Sequence, residues 1–236
     1  RIIFRCSDLN ISISEAVRQF IKKFDQRTSP VIYRGLNFDE LDQSPENVSL
    51  RQEHPEKIII ATAARLYKWK GIENTIGAIR SLPEDTRSKI IFFIIGDGED
   101  FDRLQKLSSG LPIQMLGKLE RTDVIGILKA SDIYIHSSLP GGGLSTSLLE
   151  AMYCQCAIIA TPDEGADEII KNTHNGLLIE KSSPKLLYEA LSQLIENQTA
   201  INRLSSQAAQ DVRARFNWNK SIEQYKEIFD QIQHDA

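Results

Sequence analysis

Residues 140–152 read Pro140-Gly-Gly-Gly-Leu-Ser-Thr-Ser-Leu-Leu-Glu150-Ala-Met152, a glycine run that leads into an apolar, helix-like segment. Glycine lets a backbone approach a ligand closely, and the unpaired amides at a helix start favour a phosphate group. On an α-helix, Glu150 shares a face with Thr146 and Ser147. Ser145 lies roughly 7.5 Å from Glu150 along the axis, at about 1.5 Å per residue. The segment is therefore predicted to hold a nucleoside diphosphate, with phosphate at the helix tip and ribose beside Glu150.

On both sides of this segment, short apolar runs alternate with helical periodicity. The predicted strands are Ile58–Ala63, Ile90–Ile95, Ile133–His136, Ala157–Ala160 and Leu177–Ile179. The predicted helices are Ile72–Ser81, Asp100–Leu107, Thr122–Ala130, Ser145–Tyr153, Pro184–Asn197, Ile201–Arg215 and Ser221–Gln233. Apolar strands separated by helices are typical of a parallel sheet with helices on both faces. We expect a Rossmann-like α/β domain with ligands at the carboxyl ends of its strands.

The first 55 residues follow a different pattern. Asn10–Ser14 and Val31–Tyr33 are predicted as strands, with a helix near Glu15–Phe24 between them. The polar stretch Asp39–Pro55 contains two prolines and is predicted as a linker.

Composition narrows the class of protein. The chain has 236 residues and a formal net charge of -4, which gives no general reason to expect nucleic-acid binding. Its longest apolar runs, such as Ile90–Ile95, are too short to cross a bilayer. The three cysteines form no disulfide framework. They are predicted to be small buried thiols, and a reducing cytoplasm is the expected compartment.

Two common nucleotide motifs and a metal site are not indicated. The turn Gly96-Asp97-Gly98 lacks the third glycine of a dinucleotide fingerprint, and no Gly-Lys-Ser/Thr follows a glycine cluster. NAD binding and a Walker-type ATPase are therefore excluded. Asp100 and Asp102 are explained by the preference for acidic residues in a first helical turn. We expect no metal site.

Two basic residues follow the first predicted strand. Arg65 and Lys70 should lie at the carboxyl end of that strand, near the glycine-rich segment. Two fixed cations there would stabilise the negative charge that develops on a departing diphosphate. His136 ends another predicted strand and could face the same cleft, although a lone histidine is more often structural.

The ordered motifs resemble the retaining glycosyltransferases of family 4, which have the GT-B fold. The resemblance covers nearly the whole chain and is carried by these segments: Ala63-Ala-Arg65-Leu-Tyr-Lys-Trp-Lys70-Gly71, Ile94-Ile-Gly96-Asp-Gly98, Leu116-Gly-Lys-Leu119, Asp132-Ile-Tyr-Ile-His-Ser137-Ser138, Ser145-Thr-Ser-Leu-Leu-Glu150-Ala-Met152, Glu164-Gly-Ala-Asp-Glu168, Asn175-Gly-Leu-Leu178 and Arg215-Phe-Asn-Trp218.

The resemblance implies roles for single residues. Arg65 and Lys70 correspond to the family's diphosphate-binding pair, and Glu150 to the residue that binds ribose hydroxyls. Leu119 lies in the loop that contacts the base, and Gly96 in the family's glycine turn. Phosphate and sugar would be held around Gly142, Gly143, Leu144, Ser145 and Thr146.

Three positions depart from the family pattern. Gly142 stands where the signature has a glutamate, eight residues before Glu150, and we expect this change to affect sugar selectivity. Gln155 and Ala157 replace a glycine and a proline, with an expected effect on packing.

The resemblance also implies how the chain is divided. Residues 1–38 would be the remnant of an N-terminal acceptor domain with its crossing segment, and 39–55 a linker. Residues 56–216 would form the donor-binding domain, and 217–236 a helix that packs back toward the N-terminal domain. This chain alone is expected to bind donor weakly and to catalyse little.

The predicted function is transfer of a hexosyl unit from a UDP- or GDP-sugar to a glycan or lipid-linked acceptor. The resemblance implies retention of configuration, no metal or other cofactor, and a role in surface polysaccharide biosynthesis. The expected location is cytoplasmic, with peripheral attachment to the inner membrane left open. Two alternatives stay open: a non-catalytic, degenerate interaction module, and a nucleotide-sugar epimerase or phosphorylase on the same architecture.

Overall fold

The computed structural model describes residues 9–27, 29–139, 143–163, 165–180 and 182–235, without the side chains of the last two. A six-stranded parallel sheet forms its centre, in the order β3-β2-β1-β4-β5-β6. The strands are β1 Ile58–Ala63, β2 Ile90–Ile95, β3 Ile113–Gly117, β4 Ile133–His136, β5 Ala157–Ala160 and β6 Leu177–Leu178. The strand order reverses between β1 and β4, where sheets of this kind bind ligands.

Twelve α-helices are assigned among the described residues. They are α1 Glu15–Lys22, α2 Phe38–Gln43, α3 Val48–Glu53, α4 Ile72–Ser81, α5 Glu84–Arg87, α6 Phe101–Leu107, α7 Arg121–Lys129, α8 Thr146–Tyr153, α9 Ala166–Ile169, α10 Pro184–Ile195, α11 Gln198–Arg215 and α12 Trp218–Asp235. Within these ranges, no helix is both long enough and apolar enough to span a membrane.

The core lies on both faces of the sheet. Phe93 packs into one cluster with side chains from α7, α8 and α11, and its neighbour Phe92 into a second cluster with α4 and α10. Because successive strand residues point to opposite faces, apolar runs such as Ile90–Ile95 serve both clusters. The fold prediction is confirmed: the domain is Rossmann-like α/β with helices on both faces.

The sequence prediction missed β3. Ile113–Gly117 has a single β-branched residue and lies at the edge of the sheet, where Gln114 is exposed. It pairs with β2 through Phe92 and Ile113, with a register shift at Ile94/Ile95. A short edge strand gives a weak apolar signal because one side of it meets solvent.

The strands predicted before residue 35 are wrong. Residues 12 and 31 form a single parallel bridge, in which Ser12 N donates to Pro30 O at 2.9 Å and Ile32 N to Ser12 O at 2.9 Å. Pairing ends there because the next serine, Ser14, caps α1 by accepting a hydrogen bond from Val17 N. Its hydroxyl favours the start of a helix over extension of the strand.

The linker prediction implied that the stretch 39–55 is an open connection, but the structure shows that it is folded. It contains most of α2 and all of α3, whose Leu41 and Leu50 are buried in the core. Arg51 contacts Asp132, which precedes β4, at 3.1 Å between Nη2 and Oδ1. Two buried leucines are enough to dock short helices that carry otherwise polar side chains. The domain boundaries drawn in the sequence remain predictions.

Segments from both ends of the chain meet at the beginning of α12. Leu36 N donates to Phe216 O at 2.8 Å, and Trp218 N donates to Leu36 O at 3.0 Å. A Cβ on Gly35 would lie 2.6 Å from Asn217 backbone atoms, so only glycine fits there. Residues 35 and 36 therefore contact the start of α12 directly.

Candidate functional site

The loops after β1 and β4 are tied together at the carboxyl edge of the sheet. Ser137 Oγ donates to Lys70 O at 3.0 Å, and Leu139 N donates to Trp69 O at 2.6 Å. Gly71 has φ +64°, and a Cβ there would lie 2.1 Å from Ser137 O. The close approach needs glycine, and it sets the basic loop beside the connection to α8.

Helix α8 begins where the glycine-rich segment predicted a helix start. Ser145 is the N-cap, and its Oγ accepts from Leu148 N at 3.4 Å. Ser147 accepts a hydrogen bond from Tyr134 on β4 at 2.9 Å. Gly143 and Leu144 precede the cap, whereas the predicted sugar-binding residue Gly142 lies outside the described residues. The amides at this helix start can favour an anionic ligand.

Glu150 is a buried carboxylate one turn into α8, with 6% of its surface exposed. Arg121, the first residue of α7, donates to its Oε1 from Nε at 3.0 Å and from Nη2 at 2.9 Å. The third guanidinium nitrogen, Nη1, contacts Glu40 on α2. Burial raises the pKa of the Glu150 carboxyl above its ordinary value, and the Arg121 guanidinium opposes that shift. In its ionised form the carboxylate can accept a hydrogen bond from a hydroxyl group.

Three predicted site residues line one cavity. Arg65, Gly96 and Leu119, from the loops after β1, β2 and β3, border a largely apolar cavity of about 400 Å³. Gly96 has φ +130°, and a Cβ there would lie 1.8 Å from Ala64 O. Its missing side chain therefore brings the two loops together. An apolar cavity with a cation at its border suits a planar base next to phosphate.

Arg65 and Lys70 are held differently. Arg65 is exposed, and among the described residues its guanidinium has no ion pair; it lies 5.7 Å from the centroid of the Tyr67 ring. Lys70 is half-buried, and its ammonium lies 4.0 Å from the centroid of the Trp69 ring. Both cations are on the loop after β1, as predicted.

His136 is buried at the end of β4. The pKa of its imidazole is lowered from 6.5 to about 3, chiefly by burial and also by the nearby Lys70 charge, while a hydrogen bond with the backbone of Asp163 opposes the shift. The side chain is therefore neutral near pH 7. It carries no positive charge that could act on a phosphate.

A second cavity adjoins the first turn of α8. It measures about 300 Å³, and Thr146, Arg121, Arg34 and Trp218 are among its lining residues. Just before the helix start, a Cβ on Gly143 would lie 3.2 Å from Ile13 Cδ1. Residues that precede β1 thus border the site.

The start of α1 is also linked to α9, the short helix that follows β5. Glu168 accepts from Glu15 N at 2.8 Å and from Ala16 N at 2.7 Å, and Tyr33 Oη donates to it at 2.8 Å. A carboxylate at the first amides of a helix is favourable. The resemblance pointed to the segment that contains Glu168 but not to this contact.

The structure of the described residues does not support a metal-binding use of Asp100 or of the cysteines. Asp100 is paired with Arg103, at 2.5 Å between Oδ1 and Nε, and this hydrogen bond lowers the pKa of Asp100. Across the described ranges, no group of three or more His, Cys, Asp or Glu is arranged to hold a metal. Cys154 and Cys156 are buried thiols, as predicted.

Sequence reasoning missed Arg121 and Arg34. Arg121 follows Leu119 by two residues, so the signal was present, but without β3 nothing placed the start of α7 at the carboxyl edge. Arg34 lies in a segment that was predicted to continue from a strand. Only the folded chain brings either residue next to Glu150 or Thr146.

Comparisons with known proteins agree with this geometry. The family described as "Glycosyl transferases group 1" matches residues 46–211. An uncharacterized glycosyltransferase of Methanocaldococcus jannaschii is 41% identical over 237 residues, which cover 98% of this chain and 60% of the relative. The N,N'-diacetylbacillosaminyl-diphospho-undecaprenol alpha-1,3-N-acetylgalactosaminyltransferase of Campylobacter jejuni is 28% identical over 230 residues, 94% of this chain and 54% of the enzyme. The chain therefore spans 54% to 60% of the length of these two relatives.

A solved structure has the same fold. HepE of Anabaena, determined in complex with UDP and with UDP-glucose, superposes with a TM-score of 0.85 at 23% sequence identity. The match covers 98% of this chain and 65% of HepE. Together with the family match and the relative at 41% identity, it places the chain in the group 1 glycosyltransferase family, with a Rossmann-like GT-B fold.

Proposed function

We propose that this chain binds the nucleoside diphosphate of a sugar donor along the carboxyl edge of its sheet. The observation that carries the proposal is the buried carboxylate of Glu150, one turn from the start of α8, in a helix that follows Ser137, whose side chain is bonded to the loop with Arg65 and Lys70. A carboxylate and a set of cations on one edge match the two ends of a nucleoside diphosphate, which are a ribose and a pair of phosphates.

Each part of the ligand has a proposed position. The base would enter the cavity bordered by Gly96 and Leu119, and the ribose would donate hydrogen bonds to Glu150. The diphosphate would lie against the amides of residues 143–146, where the N-terminus of α8 favours negative charge. Crystals of HepE with UDP and UDP-glucose support this class of ligand by analogy of fold.

The proposed reaction is hexosyl transfer from a UDP- or GDP-sugar, with retention and without a metal. The bond between the anomeric carbon and the diphosphate oxygen breaks, and the acceptor hydroxyl forms the new bond and loses its proton. Negative charge grows on the departing diphosphate. Arg65 and Lys70 stabilise that charge more strongly in the transition state than in the ground state, so the chain's own cations would serve the purpose that a metal serves elsewhere.

The proposed acceptor is a glycan or a lipid-linked sugar in surface polysaccharide assembly. The name of the Campylobacter jejuni relative includes a diphospho-undecaprenol acceptor, which supports a lipid-linked class. Acceptor binding would depend on parts of the relatives that this chain does not span. A role near the inner membrane is part of this proposal.

Titration calorimetry with UDP and with GDP tests donor binding on this chain. We expect one of the two to bind, and we expect Arg65→Ala and Glu150→Ala to weaken that binding roughly tenfold or more, which is about 1.4 kcal/mol per factor of ten. Absence of binding by either nucleotide at millimolar concentration would contradict the proposal. Arg80→Ala is the matched control, because it removes a similar charge at the end of α4, away from the carboxyl edge.

The reaction itself is tested with a protein extended to the full length of its relatives. Incubation with UDP-glucose or GDP-mannose and an acceptor should release the nucleoside diphosphate and give a product with the donor's anomeric configuration. An epimerised donor, or no turnover of the donor at all, would favour one of the two alternatives left open by the sequence.

A further inference from the structure

Arg121 covers the buried carboxylate of Glu150 from the solvent side. The Arg121 side chain is 46% exposed, whereas that of Glu150 is 8% exposed. Both of its hydrogen bonds, from Nε and Nη2, end on Oε1. Among the described residues, no donor reaches Oε2. The pair therefore fixes one carboxylate oxygen and leaves the other available.

The arginine is itself fixed from a second direction. Its Nη1 contacts the carboxylate of Glu40 on α2, so two edges of the guanidinium bind two different helices. Three points of attachment hold the planar guanidinium in one orientation. The orientation of the Glu150 carboxyl plane is then set by α2 and α7 together, and not by α8 alone.

Burial creates the need for such a partner. A carboxylate out of water favours its protonated form unless a cation is near. The charged or titratable groups that face Glu150 are Arg121 from α7, Glu40 from α2, Arg34 before α2, Tyr134 on β4 and Cys154 at the end of α8. Of these, only Arg121 donates a hydrogen bond to the carboxylate within the described part of the chain.

We propose that Arg121 is a positioning residue that keeps Glu150 ionised and turns its Oε2 toward the ribose hydroxyls of the donor. This inference rests on the proposed function, since it assigns the ribose to Glu150. Burial raises the pKa of Glu150 and Arg121 opposes that shift, so without Arg121 the pKa would rise further. The charge-assisted bond of Glu150 to the ribose would then weaken as the pH falls.

The test compares UDP with its 2′,3′-dideoxy analogue, which lacks both ribose hydroxyls. The ratio is the affinity for UDP divided by the affinity for the analogue. In the unchanged chain, this ratio should stay constant from pH 6 to pH 8.5. In Arg121→Met, which keeps the length of the stem, we expect the ratio to fall roughly tenfold at pH 6, the size of one charge-assisted hydrogen bond. It should recover as the pH rises and Glu150 ionises again.

A merely structural role for Arg121 would lower both affinities together and leave their ratio constant. That result, or an Arg121→Met ratio equal to that of the unchanged chain at every pH, would overturn the proposal. Glu40→Gln is the matched control, because it removes the other partner of Arg121 and should leave the ratio independent of pH.

Arg121→Lys provides a second measurement if the methionine variant fails to fold. A lysine keeps the charge but not the two-pronged contact. We expect a smaller fall in the ratio that is present at every pH, and an unchanged ratio would overturn the positioning role. If the unchanged chain binds neither UDP nor GDP, the proposed function fails first, which is a different result from binding without a ribose effect.

Discussion

The two halves of the candidate site are organised by different means. In the half that contains α8, side chains are fixed: Glu150 is buried and paired with Arg121, and Ser147 is bonded to Tyr134. In the half after β1, the backbone is fixed: Leu66 N donates to Asp97 O at 2.9 Å, while Arg65 is exposed.

The difference teaches how such a site can separate recognition from charge stabilisation. A buried, paired carboxylate is preorganised for a hydroxyl and costs little to position when the ligand arrives. An exposed arginine on a rigid loop stays hydrated until a phosphate group replaces the water around its guanidinium. We infer that the carboxylate of the α8 half selects the ribose and that the cations of the β1 half respond to the diphosphate.

The largest expected effect comes from a substitution that disturbs the backbone of the β1 half. Gly96→Ala should lower the free energy of unfolding by about 3 kcal/mol or more, because φ is +130° and the new Cβ would clash with Ala64 O. Gly110→Ala is the matched control: it also has a positive φ, +73°, but nothing lies within 4 Å of its Cβ. It should cost about 1 kcal/mol. Urea denaturation measures both, and equal losses would contradict the assigned contact.

The next prediction distinguishes the two halves by comparing the binding of UDP and of uridine. Glu150→Gln should weaken UDP and uridine by a similar factor, roughly tenfold to hundredfold for one charged hydrogen bond. Arg65→Ala should weaken UDP by roughly tenfold and leave uridine unchanged, because uridine carries no phosphate. Ligand-observed NMR titration can measure the binding of both UDP and uridine. A loss of uridine binding in Arg65→Ala would contradict the division between the halves.

The smallest effect concerns His136, which lies between the halves. Its folded pKa, about 3, is below the ordinary 6.5, so the unfolded chain binds more protons between those values. Stability should therefore fall as pH drops from about 6.5 toward 3, by at most about 1.4 kcal/mol per pH unit from this group. In His136→Asn, urea denaturation at pH 7 and pH 5 should show a smaller pH dependence. An unchanged dependence would mean that His136 takes up its proton in the folded state.

The sequence predicted those parts of the fold and of the site that depend on local pattern. Ile72–Ser81 was predicted to the residue, and Ser145 was placed at the start of α8, because apolar periodicity and capping residues act over a few neighbours. The same local reading located Arg65 and Gly96 on loops, and Glu150 on a helix, that the parallel sheet must bring to one edge, whereas Leu119 was assigned through the family resemblance.

The sequence did not predict contacts between distant segments. The bond between Arg121 and Glu150 joins residues 29 positions apart, and Glu168 contacts a helix 152 positions earlier. Such pairs depend on packing angles that no local pattern encodes. The same holds for α2 and α3, where Leu41 and Leu50 meet the core only after the sheet has formed.

The most direct test of the central claim is a crystal of this chain soaked with UDP-glucose. The account predicts a ribose hydroxyl within about 3.2 Å of Glu150 Oε2, with the diphosphate against the amides of residues 143–146 and within reach of Arg65 and Lys70. A nucleotide bound elsewhere, or bound on this edge with its ribose away from Glu150, would contradict it.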